Sequence, residues 1–184
     1  IDGSKINHIY ANKVTIPQHP YWEIDKDQMM TADVNPEIIK ILRKKFLKNI
    51  KKIKKIKIFI DRSDSKFHHN QIENYDEVIN ILKDHKFKII KLTNKTIQKQ
   101  ISYFKNAKIV VGAHGAGLSN SIFCDPKTKL IEITSKGYTA PLLKNISRIN
   151  KMKHLSLVSS KSLPTDRVKP DIYVSIKKLI KLIS

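Results

Sequence analysis

Cysteine, arginine and glycine are scarce in this chain of 184 residues, and each scarcity narrows what the chain can be. A single cysteine, Cys124, excludes an internal disulfide and fits a reducing compartment, where it reads as a small buried apolar residue. No apolar run approaches the roughly 20 residues that cross a bilayer, and nothing resembles a signal peptide, so a cytoplasmic location is expected. Sequons at Asn94 and Asn145 arise readily by chance in an Asn-rich chain and do not argue for secretion. Metal ligands are lacking as well. There is no Asp-x-Asp motif, and adjacent His68 and His69 would point apart in any strand or helix, so no metal site is expected.

Acidic charge is also in short supply: 36 basic residues face 16 acidic ones, a net charge of +20. Such a balance points to nucleic acid, an anionic membrane or an acidic substrate. Specific base readout favours arginine, however, and only Arg43, Arg62, Arg148 and Arg167 are arginines, so a specific nucleic-acid partner is not expected. Nine of the fifteen residues from Arg43 to Lys57 are basic. That run is either a solvated helix face and linker or a patch for anionic headgroups at the inner face of a membrane, and both readings stay open. Against this lysine background Arg62 stands out, because a guanidinium is a rigid fork that grips phosphate oxygens with two hydrogen bonds.

Of the five glycines, three fall at Gly112, Gly115 and Gly117, where the strand-like Val110-Val111 runs into a turn and a helix expected to start near Ser119. Glycines there let backbone amides approach a ligand, and a helix start carries partial positive charge, so a phosphate is the natural guest. The Gly-x-x-Gly-x-Gly order disfavours the dinucleotide fingerprint, and the missing Gly-Lys-Ser/Thr disfavours a phosphate-loop NTPase. A tight turn that merely packs helix on strand is the plain alternative.

Residues 1–34 are irregular, with a strand expected over 9–16. Asn35-Pro36-Glu37 then marks a helix start, with Ile39, Leu42, Phe46 and Ile50 at helical spacing over about four turns. Beyond it, short apolar strands near 56–61, 87–91, 108–111, 130–133 and 154–158 alternate with helical patterns. The implied fold class is α/β: a Rossmann-like parallel sheet of about five strands with helices on both faces. Asn74 with Glu77 reads as a helix cap, Thr96 opens a helix with Ile97, Ile101 and Phe104 inward, and Pro170-Asp171 opens a last helix carrying Ile172, Ile176, Leu179 and Ile183. Right-handed crossovers bring the carboxyl ends of the strands to one edge, where Asp61, Arg62, the 112–120 loop and Glu132 converge.

His114-Gly115-Ala116-Gly117-Leu118-Ser119-Asn120, the following Ile122-Phe123, and Leu130-Ile131-Glu132-Ile133 after the Pro126 turn resemble the signature of glycosyltransferase family 61. Upstream, Ile60-Asp61-Arg62 and Ile72-Glu73-Asn74 resemble that family's strand ending in Ser-Arg and its Arg-x-Ile-x-Asn, with Asp61 in place of Ser and Asn70 in place of an Arg. The resemblance fits from about residue 56 onward and only loosely over 1–50. It implies the C-terminal half of a GT-B fold, with residues 1–50 as an arm or remnant of the acceptor-side domain plus a linking helix, and 51–184 as the nucleotide-sugar domain. The lack of a Met before Ile1 agrees with a fragment. The implied activity is inverting, metal-independent transfer of sugar from a nucleotide donor, UDP-linked, to a glycan acceptor. The nucleotide-sugar is then a substrate, and no cofactor is needed.

In that scheme Arg62, Gly115, Ala116, Gly117, Leu118, Ser119 and Asn120 hold the diphosphate, and His114 donates to it. His114 and Asp61 are the fallback catalytic residues, since the base commonly lies on the other domain. Glu132, in a strand buried on both faces, needs a partner: ribose hydroxyls or a structural ion pair. Asp61 and Asp64 orient Arg62 at most, and Tyr138 stacks on a base or packs. The competing function is a non-catalytic module that binds polyanions through its lysines.

Overall fold

The structure, a computed structural model, describes residue 12, residues 34–64, 71–136, 141–160 and 172–184, and the backbone alone of 23–25 and 28–30. The strand expected over 9–16, His68, His69, Asn70, Tyr138 and Pro170-Asp171 lie outside the described residues. Two short strands, β1 (Glu23–Asp25) and β2 (Gln28–Met30), pair antiparallel where the sequence showed only an irregular pattern.

Helix α1 (Pro36–Leu47) begins as its sequence dictates: the Asn35 side chain accepts the Glu37 amide at 2.9 Å, and Pro36 gives up a hydrogen that no first-turn position uses. It ends a turn earlier than the apolar spacing suggests. Ile50 packs from a following turn, closed by its amide on the Leu47 carbonyl.

Five parallel strands form the sheet: β3 (Ile56–Asp61), β4 (Phe87–Lys91), β5 (Ala107–Ala113), β6 (Lys129–Thr134) and β7 (Lys153–Val158), in the spatial order β4-β3-β5-β6-β7. The order reverses between β3 and β5. This is the doubly wound α/β arrangement, and its ligand crevice opens where the two crossovers leave in opposite directions. Helices α2 (Tyr75–Asp84) and α5 (Ile176–Ile183) pack on one face with Phe59, Val111, Ile131 and Ile133. The other face packs Ile58, Ile60, Val110 and Leu130 against α1, α3 (Ile97–Lys105), a 3₁₀ helix (Ala116–Phe123) and α4 (Leu142–Ile149). Helix α1 therefore belongs by its contacts to the same body as the sheet. None of the described helices is long and apolar enough to cross a membrane.

Three local readings differ from the sequence pattern. The last helix starts at Ile176, because Ile172 instead forms a parallel bridge with Ile72, tying the segment ahead of the helix to the segment before α2. Asn74 does not cap α2 with its side chain; its amide clasps the backbone of Val174 in both directions, 3.0 Å from the Val174 amide and 2.9 Å to its carbonyl, and also donates to Glu77. Thr96 caps α3 as expected, and Ile101 and Phe104 are fully buried, yet Ile97 in the first turn is 44% exposed.

Candidate functional site

The carboxyl ends of β3 and β5 flank the switch point, and they carry the residues singled out by sequence. Strand β5 leads through His114 into Gly115, and the 3₁₀ helix begins at Ala116, three residues ahead of the start expected near Ser119. No acceptor among the described residues takes the amides of Gly115, Ala116 and Gly117, whereas Leu118 N–H closes the first tight turn on the Gly115 carbonyl at 3.0 Å. Three donors therefore stand at the amide pole of the helix.

The glycines also make room for neighbouring side chains. A Cβ on Gly115 would lie 3.0 Å from Arg62 Nε and closer still to its Cζ and Nη1, and one on Gly117 would lie 3.0 Å from Leu92 Cδ1. Their missing side chains admit neighbouring protein. Arg62 is thereby laid over the loop, where Nη1 donates to the His114 carbonyl. Burial pushes its pKa down, no acid offsets this, and no carboxylate among the described residues pairs with it. A half-buried guanidinium lacking a carboxylate partner beside three amides without an acceptor, all among the described residues, has the chemistry to receive an anion.

Asp61 does not orient Arg62. Its Oδ1 accepts the Ser63 amide at 2.9 Å, and its Oδ2 accepts the Tyr75 hydroxyl at 2.8 Å and the Ser63 hydroxyl at 3.2 Å, with Lys91 Nζ 3.9 Å away. Alternation along β3 turns Asp61, like Phe59, toward α2 and away from the loop. The cavity lined by Asp61, Arg62, Gln71, Tyr75 and Ala113 has a volume of about 10 Å³, room for one water. Burial, reinforced by the bond to Asp61, pushes the Tyr75 phenol up to about 12.

Glu132 is 3% exposed, and its partners come from within the chain. His114 Nδ1 lies 2.5 Å from Oε1 and His154 Nε2 lies 2.7 Å from Oε2, so the carboxylate joins β5, β6 and β7 on the α4 side of the sheet. Of the two partners the sequence left open, the geometry supplies imidazoles. Burial would raise the Glu132 carboxyl, but hydrogen bonds from His114 and His154 more than compensate and hold it below the usual carboxylate range. His154 escaped the sequence reading. The available signal was strand parity: with Leu155 and Leu157 inward on one face, His154 must share the other with Leu130 and Glu132.

The remaining loop residues divide. Leu118 is 1% exposed and fills the core, so only its backbone borders the loop. The Asn120 amide donates to Gln100 at 3.1 Å and to the Gly117 carbonyl at 3.3 Å, fastening the 3₁₀ helix to α3. Half-buried Ser119 has no side-chain hydrogen bond among the described residues. At the carbonyl pole, Arg43 Nη1 donates to Ile122 and Cys124 at 2.5 and 2.7 Å, and Asn150 donates to Ser121 and Ile122 at 3.2 and 2.8 Å. Arg43 thus leaves the basic run, whereas Lys44, Lys45, Lys48, Lys51, Lys52 and Lys54 are exposed. Among the described residues no three His, Cys, Asp or Glu side chains are grouped to hold a metal.

A doubly wound parallel sheet with polar residues gathered at its switch point places the chain among the α/β folds. The chain belongs to the glycosyltransferase 61 family, whose family model matches residues 9–131. The match begins well before residue 56, taking in the N-terminal stretch that resembles the family only loosely by eye, and it stops one residue short of Glu132. A β-1,2-xylosyltransferase of Oryza sativa subsp. japonica is 31% identical over 103 residues, covering 53% of this chain and 19% of that protein. A β-1,2-xylosyltransferase of Arabidopsis thaliana is 28% identical over 76 residues, covering 40% of this chain and 14% of that protein. The matched stretch is thus a fifth or less of either relative.

Proposed function

We propose that this chain is the donor-holding module of an inverting, metal-independent glycosyltransferase that binds a UDP-linked sugar and passes it to a glycan acceptor. The observation that carries the reading is the anion cradle: the Gly115, Ala116 and Gly117 amides with Arg62 laid beside them. Donors aimed where charge develops on the departing diphosphate do what a metal ion does in other transferases. Relatives named as xylosyltransferases support a pentose as the sugar. With both oxygens of Asp61 engaged, the base that deprotonates the acceptor belongs to the acceptor-side domain.

Calorimetry of the full chain with UDP at two ionic strengths tests the reading. Binding should survive added salt and weaken roughly ten- to hundred-fold in Arg62→Ala, the worth of a charge-assisted contact. The competing polyanion module predicts the reverse: steep salt dependence and indifference to Arg62. No UDP binding by the wild-type chain sinks the donor reading.

A second contact is favoured by the exposed lysines from Lys44 to Lys54, among which Ile41 and Ile53 stand 64% and 54% exposed. Cations beside apolar anchors suit an anionic bilayer surface, so the module works peripherally at a membrane. Sedimentation with vesicles rich in phosphatidylserine, compared with neutral vesicles, checks it: equal recovery with both rules it out.

A further inference from the structure

Each of the five sheet strands opens on a lysine: Lys57, Lys88, Lys108, Lys129 and Lys153 all fall within the first two residues of their strands. In a parallel sheet these positions share one edge, the amino edge, opposite the edge that carries the donor loop. The turns ahead of β4, β6 and β7 add Lys86, Lys127 and Lys151, all exposed and all with positive φ, at 62°, 67° and 54°. Asparagine or glycine sits more comfortably in that conformation, and asparagine is what stands at the other non-glycine position of this kind among the described residues, Asn94, which follows β4 at the opposite edge. At the amino edge charge takes precedence over backbone ease. Among the described residues the acids there are Asp84 and Asp125, and Asp125 is held by Lys55 and Lys105, whereas Asp61, Asp64, Glu73, Asp76, Glu77 and Glu132 lie toward the other edge. The lysines crowd one another. Lys129 and Lys153 are register partners on β6 and β7, and burial, with the charges of Lys108 and Lys129 adding to it, pushes the Lys57 ammonium below its ordinary value.

We infer that this amino edge is the face the module lays on an anionic bilayer, so that the donor loop points away from the lipid. The inference rests on the peripheral-membrane contact proposed above and extends it from residues 44–54 to the base of the whole sheet. Five strands about 4.8 Å apart spread their lysines along a front of roughly 20 Å. These charges are single ammonium groups on flexible stems, suited to a field of mobile headgroup phosphates, whereas nucleic-acid surfaces add arginine forks and aromatic platforms. At this edge the exposed arginine among the described residues is Arg148, at the end of α4, and Phe87, the aromatic ring among the strand starts, is buried. An apolar anchor is present as well. Ile53, 54% exposed, is fixed at the edge by its amide, which donates to Asn106 Oδ1 at 2.9 Å just ahead of β5. Cations around an exposed aliphatic side chain match a headgroup layer with hydrocarbon beneath it. The six residues of β6 put about 20 Å between the two edges, so a surface held at the amino edge takes no part in the transfer and serves to place the loop.

Two variants of the full chain, each lacking four positive charges, test the face rather than the total charge. Lys86→Asn, Lys127→Asn, Lys151→Asn and Lys108→Gln together strip the amino edge, asparagine being chosen because it accepts positive φ. Lys99→Gln, Lys136→Gln, Lys144→Gln and Lys177→Gln together strip the opposite side, in the first turns of α3, α4 and α5 and beyond the end of β6. In sedimentation with phosphatidylserine-rich vesicles at physiological salt, the first set should lower partitioning roughly a hundred-fold, at several-fold per lysine near the surface. The second should lower it less than about threefold, because its charges lie beyond the screening length of about 8 Å. Orientation is read with a fluorophore on an introduced thiol, which buried Cys124 leaves as the accessible one. On Lys127→Cys, ahead of β6, the dye should be quenched by nitroxide-headgroup lipid; on Lys136→Cys, past the other end of the same strand, it should not. Equal losses in the two charge sets, or equal quenching at the two positions, overturn the inference while leaving a membrane contact in place. Equal recovery of the wild type with anionic and neutral vesicles removes the membrane contact and this face with it. Tighter binding to an oligonucleotide than to vesicles at matched phosphate concentration marks a nucleic-acid surface and also overturns the inference. UDP enters none of these measurements, so the donor reading stands or falls separately.

Discussion

Replacing Glu132 with Gln probes the centre of the site with little change of shape. The carboxylate is 3% exposed and accepts two charge-assisted hydrogen bonds, at 2.5 and 2.7 Å. An amide keeps one acceptor oxygen and turns an NH₂ toward the other imidazole, so one bond is lost and the other loses its charge. At roughly 1.5–3 kcal/mol for a bond to a charged group and about 1 for a neutral one, the deficit comes to about 2–5 kcal/mol. In a domain of this size that is a fall in Tm of about 4–20 °C. The pH dependence follows from the lowered Glu132 pKa. A carboxyl depressed by folding contributes stability that is present above its unfolded pKa, about 4.3, and lost as pH falls through the lower folded value. Urea unfolding of the wild type and Glu132→Gln should therefore show a deficit that persists from pH 7 to about pH 4 and shrinks only below it. A deficit under about 0.5 kcal/mol at pH 7, or one equally large at pH 3, refutes the reasoning.

Gly115→Ala should drive Arg62 off the loop, because the new methyl occupies the space of its guanidinium; UDP affinity should drop nearly as far as in Arg62→Ala, with calorimetry as the check. Tyr75→Phe removes a phenol held protonated up to about pH 12, so a late step in the tyrosinate absorbance titration should vanish, and the loss of one hydrogen bond to the buried Asp61 carboxylate should cost about 1–2 kcal/mol in chemical denaturation. Burial lifts the Cys124 thiol to about 12, so a disulfide reagent at pH 8 should leave the native protein unlabelled and react within minutes in urea; rapid native labelling would contradict the packing.

The sheet was legible because its strands are short apolar runs, those of the central β3, β5 and β6 largely buried on both faces, and a run of that kind has few other places to go. Residues 56–61 and 87–91 are strands over the predicted bounds, and the other three extend the predicted ones by one to three residues in all. The convergence of Arg62, His114 and Glu132 was legible too, since parallel strands with right-handed crossovers leave one edge for all their carboxyl ends. What escaped depends on partners distant in sequence. Asn74 looked like a cap within its own helix, but the backbone of Val174, one hundred residues away, claims its amide. Pro170-Asp171 looked like a helix start, yet Ile172 is spent on a bridge to Ile72. The glycines implied closeness without saying to what, and His154 carried no local motif at all.

The unequal treatment of the two ends of the 3₁₀ helix gives the loop its direction. Arg43 and Asn150 neutralise the carbonyl end from inside the molecule, so that end can neither attract a cation nor fray toward solvent. Since Arg43 reaches it from α1, that helix and the far end of the loop are fastened together on one face of the sheet, and a pull on α1 would uncover those carbonyls.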